Sequence, residues 1–191
     1  MKAVVLAGGR GTRMRPLTYT RPKPLLPLVD ESVLNHLLNH LTKTGFHDVL
    51  LTLGNAKQSI KDQLQGHDKS GLDVSFVEEP DNRALGTAGS VKLAEEFLPE
   101  TFLVVQGDAL TNIDLKALSK EHLAKKCDAT ILLTKVPDPW LYGTALLDED
   151  NMIQDFQEKP DPGSSESDLA SIGIYFLEPS VLSLIPKDEK F

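Results

Sequence analysis

Apolar and polar positions along this chain alternate between two rhythms. Residues 2–7 (KAVVLA) form a short, nearly continuous apolar run, the pattern of a strand buried on both faces. Over residues 30–43 the period lengthens: Val33, Leu34, Leu37, Leu38 and Leu41 fall on one helical face. Asp30 or Ser32 can cap that helix, and Gly45 can stop it. The same exchange then repeats. Residues 48–53 (DVLLTL) read as a strand, 56–64 as a helix, 73–77 as a strand and 86–97 as a helix. Residues 101–105 (TFLVV) read as a fourth strand and 114–125 as a fourth helix. Repeated βα units at this spacing predict a mostly parallel sheet.

After Asp128 the rhythm changes. Residues 129–136, 143–147, 152–157 and 171–177 read as strands with little helix between them, and Asp148-Glu149-Asp150-Asn151 reads as a hairpin turn. The polar segment 160–167 (PDPGSSES) is too short for a domain linker, and no internal repeat is present. The expected fold is α/β: a Rossmann-like, doubly wound, mixed but mostly parallel sheet with helices on both faces and an antiparallel extension in the last third. One domain is expected over residues 1–191, with the βα units in 1–127 and the extension in 128–191.

Composition changes the picture in one place. The 191 residues are 40% hydrophobic and 25% charged, as in ordinary globular proteins, and carry a net charge of −8. Yet residues 1–29 contain no Asp or Glu and six bases: Lys2, Arg10, Arg13, Arg15, Arg21 and Lys23. The remainder therefore sums to −14 (14 bases against 28 acids). Bases set among Gly8, Gly9, Gly11, Pro16, Pro22 and Pro24 predict a built anion site, because phosphate is held by Arg, Lys and exposed backbone N–H groups. The acidic balance elsewhere argues against nucleic-acid binding. No apolar run approaches the length of a membrane helix, and the N-terminal run is too short for a signal peptide. The lone Cys127 allows no internal disulfide and is expected to be a buried structural residue; cytoplasm is the expected compartment.

In an open α/β sheet, ligands bind beyond the carboxyl ends of the strands. Gly8-Gly9-Arg10-Gly11-Thr12-Arg13 follows the first strand, Glu79 the third, Asp108 the fourth and Glu158-Lys159 a later one, so four kinds of chemistry fall on one sheet edge. The glycine loop is neither of two better-known kinds. Met14 stands where the dinucleotide fingerprint needs a third glycine, and no Gly-Lys-Ser/Thr exists for a P-loop. Pro22 and Pro24 fix the backbone on both sides of Lys23, which suits a preset phosphate ligand. Asp108, directly after a buried strand and a glycine, suits Mg²⁺ held against phosphate oxygens. His36 and His40 have zinc-helix spacing but no third ligand, and are expected to be solvated or interface residues.

Taken together, these residues resemble the sugar-1-phosphate nucleotidyltransferases. Leu6-Ala7-Gly8-Gly9-Arg10-Gly11-Thr12-Arg13, Pro16-Leu17-Thr18 and Pro22-Lys23-Pro24-Leu25-Leu26-Pro27 are similar to that family's first signature. Leu85-Gly86-Thr87-Ala88-Gly89, Gly107-Asp108, Tyr142-Gly143, Glu158-Lys159-Pro160 and Gly173-Ile174-Tyr175 follow in the family's order. The resemblance implies that a sugar 1-phosphate attacks the α-phosphorus of a nucleoside triphosphate, giving an NDP-sugar and pyrophosphate without a covalent enzyme intermediate. It implies that Leu6, Gly8, Gly9, Gly11, Thr12 and Arg13 hold the nucleotide, with Glu79, Leu85, Gly86 and Thr87 at the base. Arg13, Lys23 and Asp108 would be catalytic, with Asp108 on Mg²⁺; Gly143, Glu158, Lys159 and Ser171 would meet the sugar phosphate in the 128–191 part. Ser171-Ile172 departs from the usual Asn-Ala before Gly-Ile-Tyr, and Gln106 precedes Gly107-Asp108. Family members continue past the position of Phe191 into a segment with a second metal-binding Asp, so the chain is expected to be a fragment of a longer enzyme.

The motifs are most similar to the mannose-1-phosphate guanylyltransferase branch. A carboxylate at Glu79 can accept from guanine N1–H and N2–H₂, whereas thymine and uracil offer one N–H on that edge; whether Glu78 or Glu79 points inward is left open by the sequence. GTP and mannose 1-phosphate are the expected substrates. A glucose-1-phosphate thymidylyl- or uridylyltransferase, or a non-catalytic nucleotide-sugar-binding regulatory homologue, is the alternative. A homo-oligomer is expected, with no nucleic-acid or membrane partner.

Overall fold

Val4, Val5 and their neighbours in the first strand are fully buried, which is what a central parallel strand covered on both faces requires. The computed structural model describes residues 1–9, 11–54, 56–65, 71–81 and 85–187. Arg10 of the glycine loop and residues 188–191 of the closing segment lie outside the described residues. The strands and α-helices run in the order β1 (Lys2–Leu6), β2 (Pro27–Leu28), β3 (Glu31–Ser32), α1 (Val33–Lys43), β4 (Asp48–Leu53), α2 (Lys57–Gln65), β5 (Asp73–Glu78), α3 (Gly86–Leu93), β6 (Phe102–Gln106), α4 (Leu115–Lys125), β7 (Ala129–Lys135), β8 (Gly143–Leu147), β9 (Ile153–Glu158) and β10 (Leu169–Leu177).

The chain divides into two compact units, one of Met1–Thr130 with Phe176–Phe191, the other of Ile131–Tyr175. In the first, β1 pairs in parallel with both β4 and β6, and β4 with β5. The register sets Leu6 opposite both Thr52 and Gln106, so the carboxyl ends of β1, β4 and β6 finish level. The helices close where local chemistry predicts. Ser32 caps α1 by accepting from Asn35 N (3.2 Å), which decides between the two candidate caps, and Gly45 ends it at φ +89°. Asp114 caps α4 by accepting from Ala117 N (2.9 Å). The helix expected over 86–97 is shorter: α3 ends at Leu93 and a 3₁₀ turn, Glu95–Phe97, follows it.

Three features differ from the sequence expectation. Residues 12–25 fold into successive 3₁₀ turns, Thr12–Met14, Leu17–Tyr19 and Lys23–Leu25, and β2 and β3 form a small hairpin around Val29 at φ +60°. Cys127 is half-buried rather than buried, its thiol near Lys125 O (3.7 Å). His36 and His40 are half-buried rather than solvated: each donates from Nε2 at 2.9 Å, to Leu28 O and Ile113 O respectively, tying α1 to flanking loops.

The second unit is antiparallel. β8 pairs with β9 and β10, with Gly143 opposite Glu158 and a bulge between Leu146 and Leu147. The connecting turn is held by Asp148, whose side chain accepts from Asp150 N (3.0 Å) and Met152 N (2.8 Å) while Asn151 takes φ +60°.

Candidate active site

The level strand ends of the first unit carry the candidate chemistry. Ala7 N extends the β1–β4 ladder to Thr52 O (3.0 Å), after which the chain leaves the sheet as the glycine loop. Gly11 turns at φ +60°, a conformation costly for residues with a Cβ. Its carbonyl accepts from Thr18 Oγ1 (2.7 Å) and Met14 N (3.0 Å), which folds the first two 3₁₀ turns back onto the loop. On the other side of β1, Gly107 N donates to Leu6 O (2.9 Å). A Cβ on Gly107 would lie 3.0 Å from that oxygen, so the small residue lets the β6 end lie close to β1.

Lys23 begins its own 3₁₀ turn behind Pro22 (φ −60°, ψ 147°), and buried Pro24 and Leu25 anchor that turn in the core. The result is a cleft of about 330 Å³ lined by Gly9, Gly11, Thr12, Arg13, Lys23 and Asp108, among others. Leu6, expected at the nucleotide, also lines it; Met14, Pro24 and Gln106 line it as well, and the motifs alone assign them no place in the site. Lys23 Nζ is ion-paired with Asp108 Oδ2. Arg13 is exposed and forms no ion pair among the described residues.

The two adjacent glutamates part company. Glu78 faces outward and pairs with Lys57 (3.1 Å) and with Lys61. Hydrogen bonds from Lys61 and then Lys57 hold its carboxyl below the ordinary glutamate range. Bonds to Asp81 and then Glu78 raise the Lys57 ammonium. Glu79 points inward at 8% exposure, its backbone N donating to Leu53 O (2.8 Å). Its Oε1 accepts from Ser90 Oγ of α3. A Cβ on Gly8 would lie only 2.6 Å from that same Oε1, so the carboxylate rests directly against the glycine that opens the loop.

Leu85 is buried, Gly86 starts α3 at φ +78° and Thr87 is exposed. Leu85 borders a separate hollow of about 280 Å³ with Gly89 and Lys92, and none of Gly8, Glu79, Leu85, Gly86 and Thr87 lines the first cleft. Ser90 carries no signal as a lone polar residue in the sequence. Its place four residues after Gly86, on the turn that meets the end of β5, is the only hint.

In the second unit, Gly143 and Glu158 face each other across the β8–β9 ladder. A Cβ on Gly143 would meet the Phe156 ring at 2.7 Å and Glu158 Oε2 at 2.8 Å. Glu158 pairs with Lys159 (3.1 Å), which takes φ +48° and donates its backbone N to Tyr142 O (3.0 Å). The Ser171 hydroxyl lies 3.2 Å from Tyr175 OH and accepts from Gly173 N (3.3 Å).

A family model described as Nucleotidyl transferase matches residues 2–190. The chain belongs to the nucleotidyl transferase family. Among curated relatives, it is 34% identical over 203 residues to a UTP–glucose-1-phosphate uridylyltransferase of Synechocystis sp., a match covering 100% of this chain and 52% of that protein. It is 37% identical to a mannose-1-phosphate guanylyltransferase catalytic subunit beta of Drosophila pseudoobscura pseudoobscura, covering 96% of this chain and 50% of the relative. The chain thus spans about half the length of these nucleotidyl transferases. Among solved structures, HddC from Yersinia pseudotuberculosis complexed with GMP-PN superposes with a TM-score of 0.80 at 27% identity, covering 98% of this chain and 81% of that one.

Proposed function

We propose that this chain belongs to an enzyme that transfers a nucleoside monophosphate from a triphosphate to a sugar 1-phosphate, and that its glycine-loop cleft holds the triphosphate. The observation that supports this most is the convergence of Gly9, Gly11, Thr12, Arg13, Lys23 and Asp108 on one cleft at the carboxyl ends of parallel strands. The nucleophile of such a reaction is a phosphate oxygen that is already anionic. It forms a bond to the α-phosphorus as the bond to the β-phosphate bridging oxygen breaks, and no general base is required. Catalysis then consists of positioning and charge neutralisation.

The glycine loop offers backbone N–H groups to the triphosphate, Arg13 is available to its phosphate oxygens, and Lys23 neutralises charge on the α-phosphoryl group and departing pyrophosphate. Asp108 is the carboxylate for Mg²⁺. Among the described residues no group of three or more His, Cys, Asp or Glu could hold a metal alone. One carboxylate fits Mg²⁺ where nucleotide oxygens and water complete the shell. When bound, the ion would withdraw charge from the phosphate oxygens. Gly143, Glu158, Lys159 and Ser171 are assigned to the sugar phosphate.

GTP and mannose 1-phosphate are the proposed pair. The inward carboxylate of Glu79 suits the paired donors of guanine, and a guanylyltransferase is among the relatives. The uridylyltransferase relative supports UTP with glucose 1-phosphate as the second reading. The proposed compartment is the cytoplasm and the proposed assembly a homo-oligomer. The full-length protein, incubated with Mg²⁺, GTP and mannose 1-phosphate, is expected to release pyrophosphate. No release with any pair from a panel of four triphosphates and several sugar 1-phosphates would reject the reading.

A further inference from the structure

We propose that Ser90 is a positioning residue for the triphosphate loop, acting through Glu79 on Gly8. The inference rests on the reading of the cleft as a nucleotide site. Ser90 lies inside α3 and is 5% exposed. Serine is a poorer helix former than alanine and competes for backbone hydrogen bonds, so burial inside a helix gives it no propensity advantage. Its hydroxyl has one proton and two acceptors within reach: Gly86 O at 2.6 Å, one turn back, and Glu79 Oε1. The carboxylate is the stronger acceptor.

Glu79 needs that partner. A carboxylate removed from water without compensating hydrogen bonds is costly, and Ser90 supplies the side-chain donor. Held there, the carboxylate forms a wall against Gly8, closer than any Cβ could stand. Gly54, just after β4, also lies against this glycine, since an added Cβ there would stand 2.7 Å from Gly8 O. Gly8 is thus packed closely against Gly54 and against a glutamate that Ser90 of α3 holds by a hydrogen bond. Ser90, Glu79 and Gly8 all stand behind the cleft lining, so the effect proposed for Ser90 is on where the loop's N–H groups stand.

A loop that binds the triphosphate equally before and during reaction contributes uniform binding, so loosening it raises KM with little change in kcat. In the full-length protein, Ser90→Ala is expected to raise KM for the nucleoside triphosphate about tenfold. The KM for the sugar 1-phosphate and kcat should stay within twofold. Ser90→Thr, which keeps the hydroxyl, should restore the wild-type KM. Ser90→Cys, a near-isostere with a weak donor, should behave like the alanine variant and carries the test if that variant does not fold. Amide hydrogen exchange in the glycine loop should rise in the alanine or cysteine variant and not in the threonine variant. An unchanged nucleotide KM, or a raised KM without faster loop exchange, would overturn the role of Ser90. A wild type that transfers nothing from any triphosphate would instead bring down the reading of the cleft, and this inference with it.

Discussion

The ammonium of Lys23 rests on the carboxylate of Asp108, joining the Pro-Lys-Pro turn to the loop after β6. Each is assigned a different task in the proposed reaction, one on phosphate and one on metal. In the structure the two are ion-paired with each other. In the proposed reaction a magnesium-bound triphosphate would part them, offering Lys23 an anion and Asp108 a cation together.

Lys23→Ala should therefore free Asp108. Titration of the full-length protein with Mg²⁺ or Mn²⁺, followed by calorimetry without nucleotide, is expected to show metal binding strengthened several-fold, while GTP binding weakens. Metal affinity equal to the wild type would show that the pair does not compete with the ion.

Turnover should respond far more than stability. Lys23 and Asp108 side chains are 37% and 28% exposed, and exposed ion pairs contribute about 0–1 kcal/mol to folding. Loss of a group that neutralises charge in a phosphoryl transition state costs about 10²–10³ in rate. Lys23→Ala and Asp108→Ala are each expected to lower kcat by that order while the melting temperature stays within a few degrees. Near-normal turnover in either would reject its assigned role.

The parallel sheet was legible because strands such as β1 are buried on both faces and read as unbroken apolar runs. Leu34, Leu37, Leu38 and Leu41 likewise announce α1 through their spacing. The β8–β9 hairpin follows once the Asp148 turn is placed, but the facing of Gly143 and Glu158 does not, because the bulge between Leu146 and Leu147 shifts the register by one. Other features have no local signature. The turns of residues 12–25 depend on Thr18 reaching back to Gly11 O, a contact between separate segments. Glu78 and Glu79 are chemically identical, and only Lys57 and Lys61 on α2 and Ser90 on α3 decide which faces inward. Ser90 and Gln106 matter through their neighbours across the fold, which residue type alone does not reveal.

Two loop glycines should separate stability from tolerance. A methyl group on Gly8 would meet Glu79 Oε1 at 2.6 Å, against a carboxylate fixed by Ser90. Gly8→Ala is expected to cost about 1–3 kcal/mol, as overpacking usually does, and to weaken GTP binding. A Cβ on Gly9 meets nothing within 4 Å, so Gly9→Ala should melt with the wild type. Equal melting temperatures for both variants in thermal denaturation would show that Gly8 has room the geometry denies it.

The outward cluster predicts a pH and salt response. The folded-state pKa of Glu78 is lowered by its bonds to Lys61 and Lys57, so its stabilisation is present above the unfolded value and is lost as pH falls through the folded one. Lys57 is raised by Asp81 and Glu78, so its contribution is present below its unfolded value and fades as pH rises through the folded one. Both groups are solvent-exposed, so high salt should flatten both limbs. Glu78→Gln should melt with a shallower acid limb below about pH 4.5 than the wild type. Identical limbs in the two proteins would mean the cluster contributes nothing to folding.

Nucleotide choice gives the sharpest test of Glu79. Its Oε1 is engaged by Ser90, and its burial makes each unmatched hydrogen-bonding group costly. Guanine presents two neighbouring donors, N1–H and N2–H₂, to a carboxylate that only accepts; uracil and thymine present N3–H flanked by carbonyl oxygens, which a carboxylate repels. The full-length protein should therefore have a higher kcat/KM for GTP than for UTP or dTTP with the same sugar phosphate. Glu79→Gln exchanges one acceptor for a donor and should reduce that preference by about tenfold, the scale of one mismatched hydrogen bond. The direction matters more than the size: a glutamine variant that favours GTP as strongly as the wild type would place base selection elsewhere and leave Glu79 only its support of Gly8.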